Sequence, residues 1–346
     1  MKSLIRVLKN KEPLSVPPVW FMRQAGRYLP EYLRLREEKG SFLNLVYDPG
    51  FAAEVTVQPI RRFGMNGAIL FSDILIIPHA LGQDLEFRKG EGPVLDPISD
   101  AGDFSKLSME HLDERLSSIY HTVENVGNLL SEENFEDTAL IGFAGAPWTV
   151  ACYMVQGHGK CDFPKTRAFA RKDPEGFQTL VDVVEQATLI YLKGQIEAGA
   201  EAIQLFDSWA DLLEGDEFER WVIEPAERIF TELKKTYPDI PLIGFAKTAD
   251  EARLIDYSKI ISMDCMGLGQ DVNLEIVKKL PDTLAVQGNL DPESLLEGGQ
   301  RMERDIRNIL DICKGRPHVF NLGHGVIKET EPENVARAVE IIRGDA

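Results

Sequence analysis

Cysteine is scarce in this chain: four residues in 346, at positions 152, 161, 265 and 313. They lie far apart and form no CxxC pair, which argues against a secreted disulfide framework, a zinc knuckle and a thiol redox motif. Long apolar runs are missing as well. None reaches the roughly 20 residues that span a bilayer, and the opening MKSLIRVLKNKEPLSVPP interrupts its apolar residues with charges and prolines. It holds neither a secretory h-region nor a cleavage site. The expectation is a reduced, cytoplasmic protein with no integral membrane association, while an organellar protein lacking its presequence stays open. Basic residues are also few, 38 against 56 acidic, for a net charge of −18. That disfavours a nonspecific nucleic-acid partner but permits a local basic pocket. No HExxH, EF-hand, Walker A or GxGxxG after the first strand occurs, so metal, ATP and NAD fall behind a site with no metal and no cofactor.

What is present is a globular composition, 44% apolar and 27% charged. At this length about 75% of the extended chain's surface can be buried, so the core can be large. Eight short β-rich runs punctuate the sequence: Val16–Met22, Ala68–Asp73, Leu140–Gly145, Ala202–Ser208, Leu242–Lys247, Lys259–Asp264, Leu284–Leu290 and His318–Gly325. They are nearly continuous apolar runs, as strands covered on both faces are. Helical stripes fill the intervals, among them Leu112, Leu116, Ile119, Val123, Val126 and Leu129, then Phe177, Leu180, Val184, Ala187 and Tyr191. Asp48-Pro49, Asp291-Pro292 and Glu331-Pro332 read as helix entrances, with proline at N1 where its missing N–H costs no bond. The fold expected is α/β, a single-domain (β/α)8 TIM barrel over residues 1–346, with a doubly wound sheet as the alternative. The longest interval, holding LDPISDAGDFSKL, reads as a surface insertion.

A barrel gathers the polar residues at its strand ends on one mouth. Here these are Arg23 and Arg27 after the first run, Asp73 after the second, Tyr153 shortly after the third and Ser208 after the fourth. Lys247, Asp264, Gln287 with Asn289, and Asn321 with His324 occupy the later ends. The stretch RQAGRYLPEYLRLR sets Arg23 and Arg27 four apart with Arg36 beyond. It is either an exposed helix or a loop whose guanidiniums grip phosphate or carboxylates. Asp73 fits an active-site acid, a helix cap or a structural acceptor, with Asp207 and Asp264 as competitors. Phe143, Trp148 and Phe206 are candidate apolar pocket walls. Ser208 lacks a GxSxG elbow, so it reads as a hydrogen-bond donor to a ligand. The basic stretch from Gly157 to Asp173 is either a flap for an anionic substrate or a solvated excursion.

The segments PVWFMRQAGRYLPEY, IRRFGMNGAILFSDILIIPHALG, GFAGAPWTVACYMVQG, AIQLFDSWA, QGNLDP and NLGHG occur in this order. As an ordered set, spanning most of the chain, they resemble the uroporphyrinogen decarboxylase family. The resemblance implies a distorted (β/α)8 barrel, commonly a homodimer, working without metal or organic cofactor. It implies that the acetate side chains of uroporphyrinogen III lose carbon dioxide and become methyl groups, giving coproporphyrinogen III in tetrapyrrole (haem) biosynthesis. By the matching positions it makes Asp73 and Arg23 catalytic. Substrate binding falls to Arg23, Gln24, Ala25, Gly26 and Arg27 of RQAGR, with Arg36, Asp73, Tyr153, Ser208 and His324. Two departures stand out: Asp207, where the family also uses glutamate, and Cys265, where some relatives carry an aromatic residue. The alternatives are a tetrapyrrole-binding carrier without turnover and a methyltransferase on the same barrel.

Overall fold

Each core strand is apolar along its length because both of its faces are covered, one by helices and one by the barrel's own filling. In the computed structural model, which describes residues 1–88, 90–159 and 161–345, chain order gives β1 (Gly67–Ile69), β2 (Leu85–Arg88), β3 (Gly92–Leu95), β4 (Ala139–Gly145), β5 (Ala202–Asp207), β6 (Leu242–Ala246), β7 (Cys265–Gly267), β8 (Ala285–Gln287) and β9 (His318–Val319). The main sheet is parallel in the order β1-β4-β5-β6-β7-β8-β9. An eighth stave joins its two edges. Val19 forms a parallel bridge with Phe320, and the Phe320 N–H donates to the Pro18 carbonyl at 2.8 Å. On the other side the Asn66 N–H donates to the Val19 carbonyl at 2.8 Å, and the Val19 N–H to Asn66 Oδ1 at 3.0 Å. Pro17 and Pro18 supply no N–H, which is why this stave is irregular. The barrel is therefore of the distorted (β/α)8 kind that the strand count anticipates.

One expected strand is displaced. Residues 259–264 form turns, with the Met263 N–H donating to the Ile260 carbonyl at 3.2 Å, and Ile261 is 94% exposed. The strand begins only at Cys265, a buried core residue. Asp264 consequently stands at the entrance of β7, where its carboxylate accepts the Leu242 N–H at 2.9 Å and pairs with Lys234 at 2.7 Å and Lys11 at 3.2 Å. It belongs to the floor of the barrel, opposite the mouth.

The caps follow their sequence signals. Asp48 accepts the N–H groups of Gly50 and Phe51 at 3.1 Å, and Asp291 that of Glu293 at 2.9 Å. The stripes of the helices Leu112–Glu132 and Pro174–Glu197 are buried as their period requires, apart from the half-buried Leu129. The long interval holds an antiparallel hairpin, β2 with β3, and a 3-10 turn at Ala101–Lys106. The hairpin is fastened beside the mouth: the Leu95 N–H donates to the Gly157 carbonyl at 2.8 Å, at the end of the helix Pro147–Gln156. The basic stretch after it is no loose excursion, since Phe163 is fully buried and the helix Pro164–Lys172 follows.

Candidate active site

Alternation along the strands decides which side chains enter the lumen. Phe143 of β4, Phe206 of β5 and Phe245 of β6 meet edge to face, with ring centroids 5.7 and 6.0 Å apart. Beneath Phe206, Gln204 accepts from Gln287 Nε2 at 3.1 Å, and Gln287 in turn accepts from Trp20 Nε1 at 3.0 Å. This internal chain employs Gln287. Asn289 and Asn321 are likewise used for support: the first donates to the Gly269 and Val272 carbonyls, and the second accepts the Met22 and Leu322 N–H groups.

Asp207 has the opposite parity from Phe206 and Ser208, so it points into the layer between sheet and helices. There Oδ1 accepts the Thr149 hydroxyl at 2.5 Å, while Oδ2 is buried without a partner among the described residues. Burial pushes its carboxyl up to about 7. Thr149 accepts the Trp209 N–H at 3.1 Å, and Trp148 Nε1 donates to the Trp209 carbonyl at 2.9 Å. Asp207 thus shapes the turn carrying Ser208 and is not itself a group of the mouth.

The loop after the first stave is bent by Arg23, whose φ of 61° lies in the left-handed region that few non-glycine residues adopt. Gln24 holds the bend. Its side chain accepts the Phe21 N–H at 3.0 Å and donates to the Gly67 carbonyl at 2.9 Å, and its own carbonyl accepts the Tyr28 hydroxyl at 2.7 Å. Gln24 is fully buried, and these bonds make its side chain a brace for the loop. Ala25 and Gly26 behave differently: among the described residues neither N–H has a partner, so both remain available as backbone donors.

Arg23, Arg27 and Arg36 form no ion pair among the described residues. Arg61, Arg171, Arg228, Arg301 and Arg337 all do. In a chain of net charge −18, these three guanidiniums are left able to meet an anion. Arg36 stacks over Phe42 at 5.3 Å, and its Nη1 is buried with no hydrogen-bond partner among the described residues. Burial, and then the nearby charge of Arg27, push its guanidinium below its ordinary value.

Asp73 caps the turn that enters the helix Ile76–Ala80, with Oδ1 accepting the Leu75 N–H at 2.9 Å. Its Oδ2 has no hydrogen-bond partner among the described residues. Burial raises the carboxyl to about 6 against the opposing pull of that hydrogen bond and of Arg23. Tyr153 lies in the fields of both Asp73 and Arg23, and its ring packs edge to face on Phe163 at 5.4 Å and Trp209 at 6.4 Å. His324 completes the group. Its Nδ1 accepts the Gly325 N–H at 2.6 Å, leaving the ring proton on Nε2. Burial, then the charges of Arg23 and Lys247, push the imidazole down to about 4, so it is a neutral donor near neutral pH.

Arg23, Asp73, Tyr153 and His324 therefore share one electrostatic environment at the mouth. Ser208 adjoins it through Trp209, and Phe143 and Phe206 lie at its floor. Two wall elements carry no sequence signal of their own. Trp209 reads as an ordinary aromatic residue, and the hairpin's Leu85 and Leu95, clustered with Leu75 and Tyr153, read as insertion. The arrangement suits a ligand with several carboxylates and an electron-rich nitrogen ring: arginines and His324 for the acids, Asp73 for cationic N–H groups.

A family model described as Uroporphyrinogen decarboxylase (URO-D) matches residues 1–344. Among similar proteins, the uroporphyrinogen decarboxylase of Novosphingobium aromaticivorans is 52% identical over 343 residues, covering 99% of this chain and 98% of that one. The corresponding enzyme of Granulibacter bethesdensis is 49% identical over 343 residues, covering 99% of each. Among solved structures, a methyltransferase from Methanosarcina mazei superposes with a TM-score of 0.80 over 100% of this chain and 99% of that one. At 17% identity that likeness concerns the fold alone.

Proposed function

The chain belongs to the uroporphyrinogen decarboxylase family, and from that premise we propose that its barrel mouth carries out the four decarboxylations that turn uroporphyrinogen III into coproporphyrinogen III. It is a carboxy-lyase of tetrapyrrole biosynthesis, of a family that works without a cofactor. The observation that carries the reading is the half-buried carboxylate of Asp73 in the field of Arg23, a guanidinium that forms no ion pair among the described residues.

In each round a proton adds to a pyrrole ring carbon and makes the ring an iminium-like cation. The bond between the acetate methylene and its carboxylate then breaks. Carbon dioxide leaves, and the electron pair passes into the cationic ring, giving a neutral exocyclic methylene. A proton adds to that methylene, the ring carbon gives up its proton, and a methyl group remains with one proton consumed. Asp73 faces the ring N–H groups and stabilises the cation, an electrostatic effect that exists only once the charge has formed. Arg23 holds the departing carboxylate. Arg27, Arg36, Tyr153, Ser208, His324 and the Ala25 and Gly26 backbone bind the remaining acids, with Phe143 and Phe206 as apolar walls. We assign the work to one barrel domain in a cytoplasmic homodimer. The contiguous core supports the first part, four free cysteines and the lack of any membrane-spanning helix among the described residues accord with the second, and family resemblance supports the dimer.

The test is anaerobic turnover of the purified protein with reduced uroporphyrinogen and no added cofactor, with products resolved by mass. Successive loss of four carbon dioxide units is expected. Binding of an unchanged octacarboxylate would replace this reading with the carrier.

A further inference from the structure

Lys247 lies at the end of β6 with no assigned task. Its neighbour two residues back, Phe245, faces the lumen edge to face with Phe206. Side chains two apart on a strand share a face, so Lys247 rises from the rim directly above the aromatic floor. Its backbone N–H is fixed to the Asp207 carbonyl at 2.9 Å. Its stem lies beside Gly269: a Cβ built there would be 3.8 Å from Lys247 Cγ, an ordinary van der Waals contact. His324 and Asp211 both feel its charge. Yet among the described residues no carboxylate comes within ion-pair distance of the Lys247 ammonium, whereas Lys2, Lys11, Lys39 and Lys234 are each paired. A half-buried lysine whose ammonium closes no ion pair is costly, and this acidic chain has no shortage of acids to place against it.

We propose that Lys247 is a further substrate-holding residue, which grips a propionate on a ring other than the one being decarboxylated. The inference rests on the polycarboxylate reading above and extends it to the far rim. Counting staves from Pro18–Phe21 through β1, β4 and β5, β6 stands opposite the stave that carries Arg23. A ring seated between Asp73 and Arg23 leaves Lys247 to another ring of the same macrocycle. Acetates disappear as the reaction proceeds, and only propionates are present in every round. A grip that serves all four rounds is therefore a grip on propionate.

The decisive variants are Lys247→Met, which keeps the stem and removes the charge, and Lys247→Arg, which keeps the charge. Lys247→Gln substitutes for the first if it unfolds. Under anaerobic conditions the charge-removing variant should raise KM for uroporphyrinogen about tenfold or more, as loss of one charge-assisted hydrogen bond does. Its single-turnover rate at saturation should change by less than about threefold, and inhibition by coproporphyrinogen should weaken in parallel with KM. Lys247→Arg should recover most of the affinity, which a purely structural role would not give. Unchanged KM and product inhibition would overturn the proposal. So would a collapse of the saturated single-turnover rate at constant KM, which would place Lys247 at the reacting ring. If the wild-type chain bound uroporphyrinogen through Lys247 yet released no carbon dioxide from it, the decarboxylase reading would fail while this one stood.

Discussion

At the scale of single residues, the mouth is a set of groups held away from their ordinary protonation behaviour. Asp73 is raised from 3.8 to about 6 chiefly by burial, so it is ionised near neutral pH at some expense to the fold. The folded carboxyl binds its proton more tightly than the unfolded one. Its stabilising contribution is therefore fully present below pH 3.8 and is lost as pH rises through about 6. Asp73→Asn should accordingly melt higher than wild type at pH 8, with the gain vanishing below about pH 4. The same variant should lose on the order of 10² or more in single-turnover rate while binding substrate nearly normally, since asparagine keeps the size but cannot offset a ring cation. Asp73→Glu restores the charge on a longer stem and tests placement. A near-wild-type rate in folded Asp73→Asn would remove Asp73 from the chemistry, and loss of binding alone would make it an anchor. Rate, binding and melting curves measured against pH separate these cases.

At the scale of elements, the turn Asn321–Gly325 shows how backbone geometry sets side-chain chemistry. A Cβ built on Gly325 would collide with Arg23 at Cδ, Cγ and Nε, so the missing side chain is what lets Arg23 lie across the turn. A Cβ on Gly323 would instead meet the backbone of Gln270. The two glycines should therefore fail differently. Gly325→Ala is expected to keep its melting temperature within a few degrees while losing severalfold or more in kcat/KM, because a side chain can swing aside where a backbone cannot. Gly323→Ala should be markedly destabilised. Identical behaviour of the two variants in calorimetry and turnover would contradict the distinction. Elements also separate what was legible from what was not. Asp48-Pro49 and Asp291-Pro292 announce their helices through local chemistry alone. The run at 259–264 is apolar enough to read as a strand, yet turn hydrogen bonds and the ion pairs of Asp264 claim it.

At the scale of the whole molecule, a net charge of −18 repels a polyanionic substrate at long range, while unpaired arginines attract it at the mouth. Partly buried charges are screened far less than exposed ones. The proposed dimer is tested by sedimentation across the assayable concentration range. A homodimer is expected wherever the protein is active, and full activity in a demonstrably monomeric sample would refute it.

The sequence by itself determined the barrel class, the helix entrances and the identity of the arginines, Asp73, Tyr153, Ser208 and His324 as candidates. Those features are written in local periodicity, in capping residues and in the order of short segments along the chain, all of which can be read without knowing which residues meet in space. Tertiary structure alone decided how the polar groups were spent. Gln24 and Gln287 carry no partner that can be read in sequence, and only the folded chain shows their buried bonds to Gly67, Trp20 and Gln204. Asp207 and Lys247 both end their strands, but Asp207 lies opposite Ala246 in register and Lys247 one residue beyond it, so alternation sends the first into the helix layer and the second to the rim. Whether a polar group is free for chemistry depends on partners hundreds of residues away, and spacing along the chain carries no record of them.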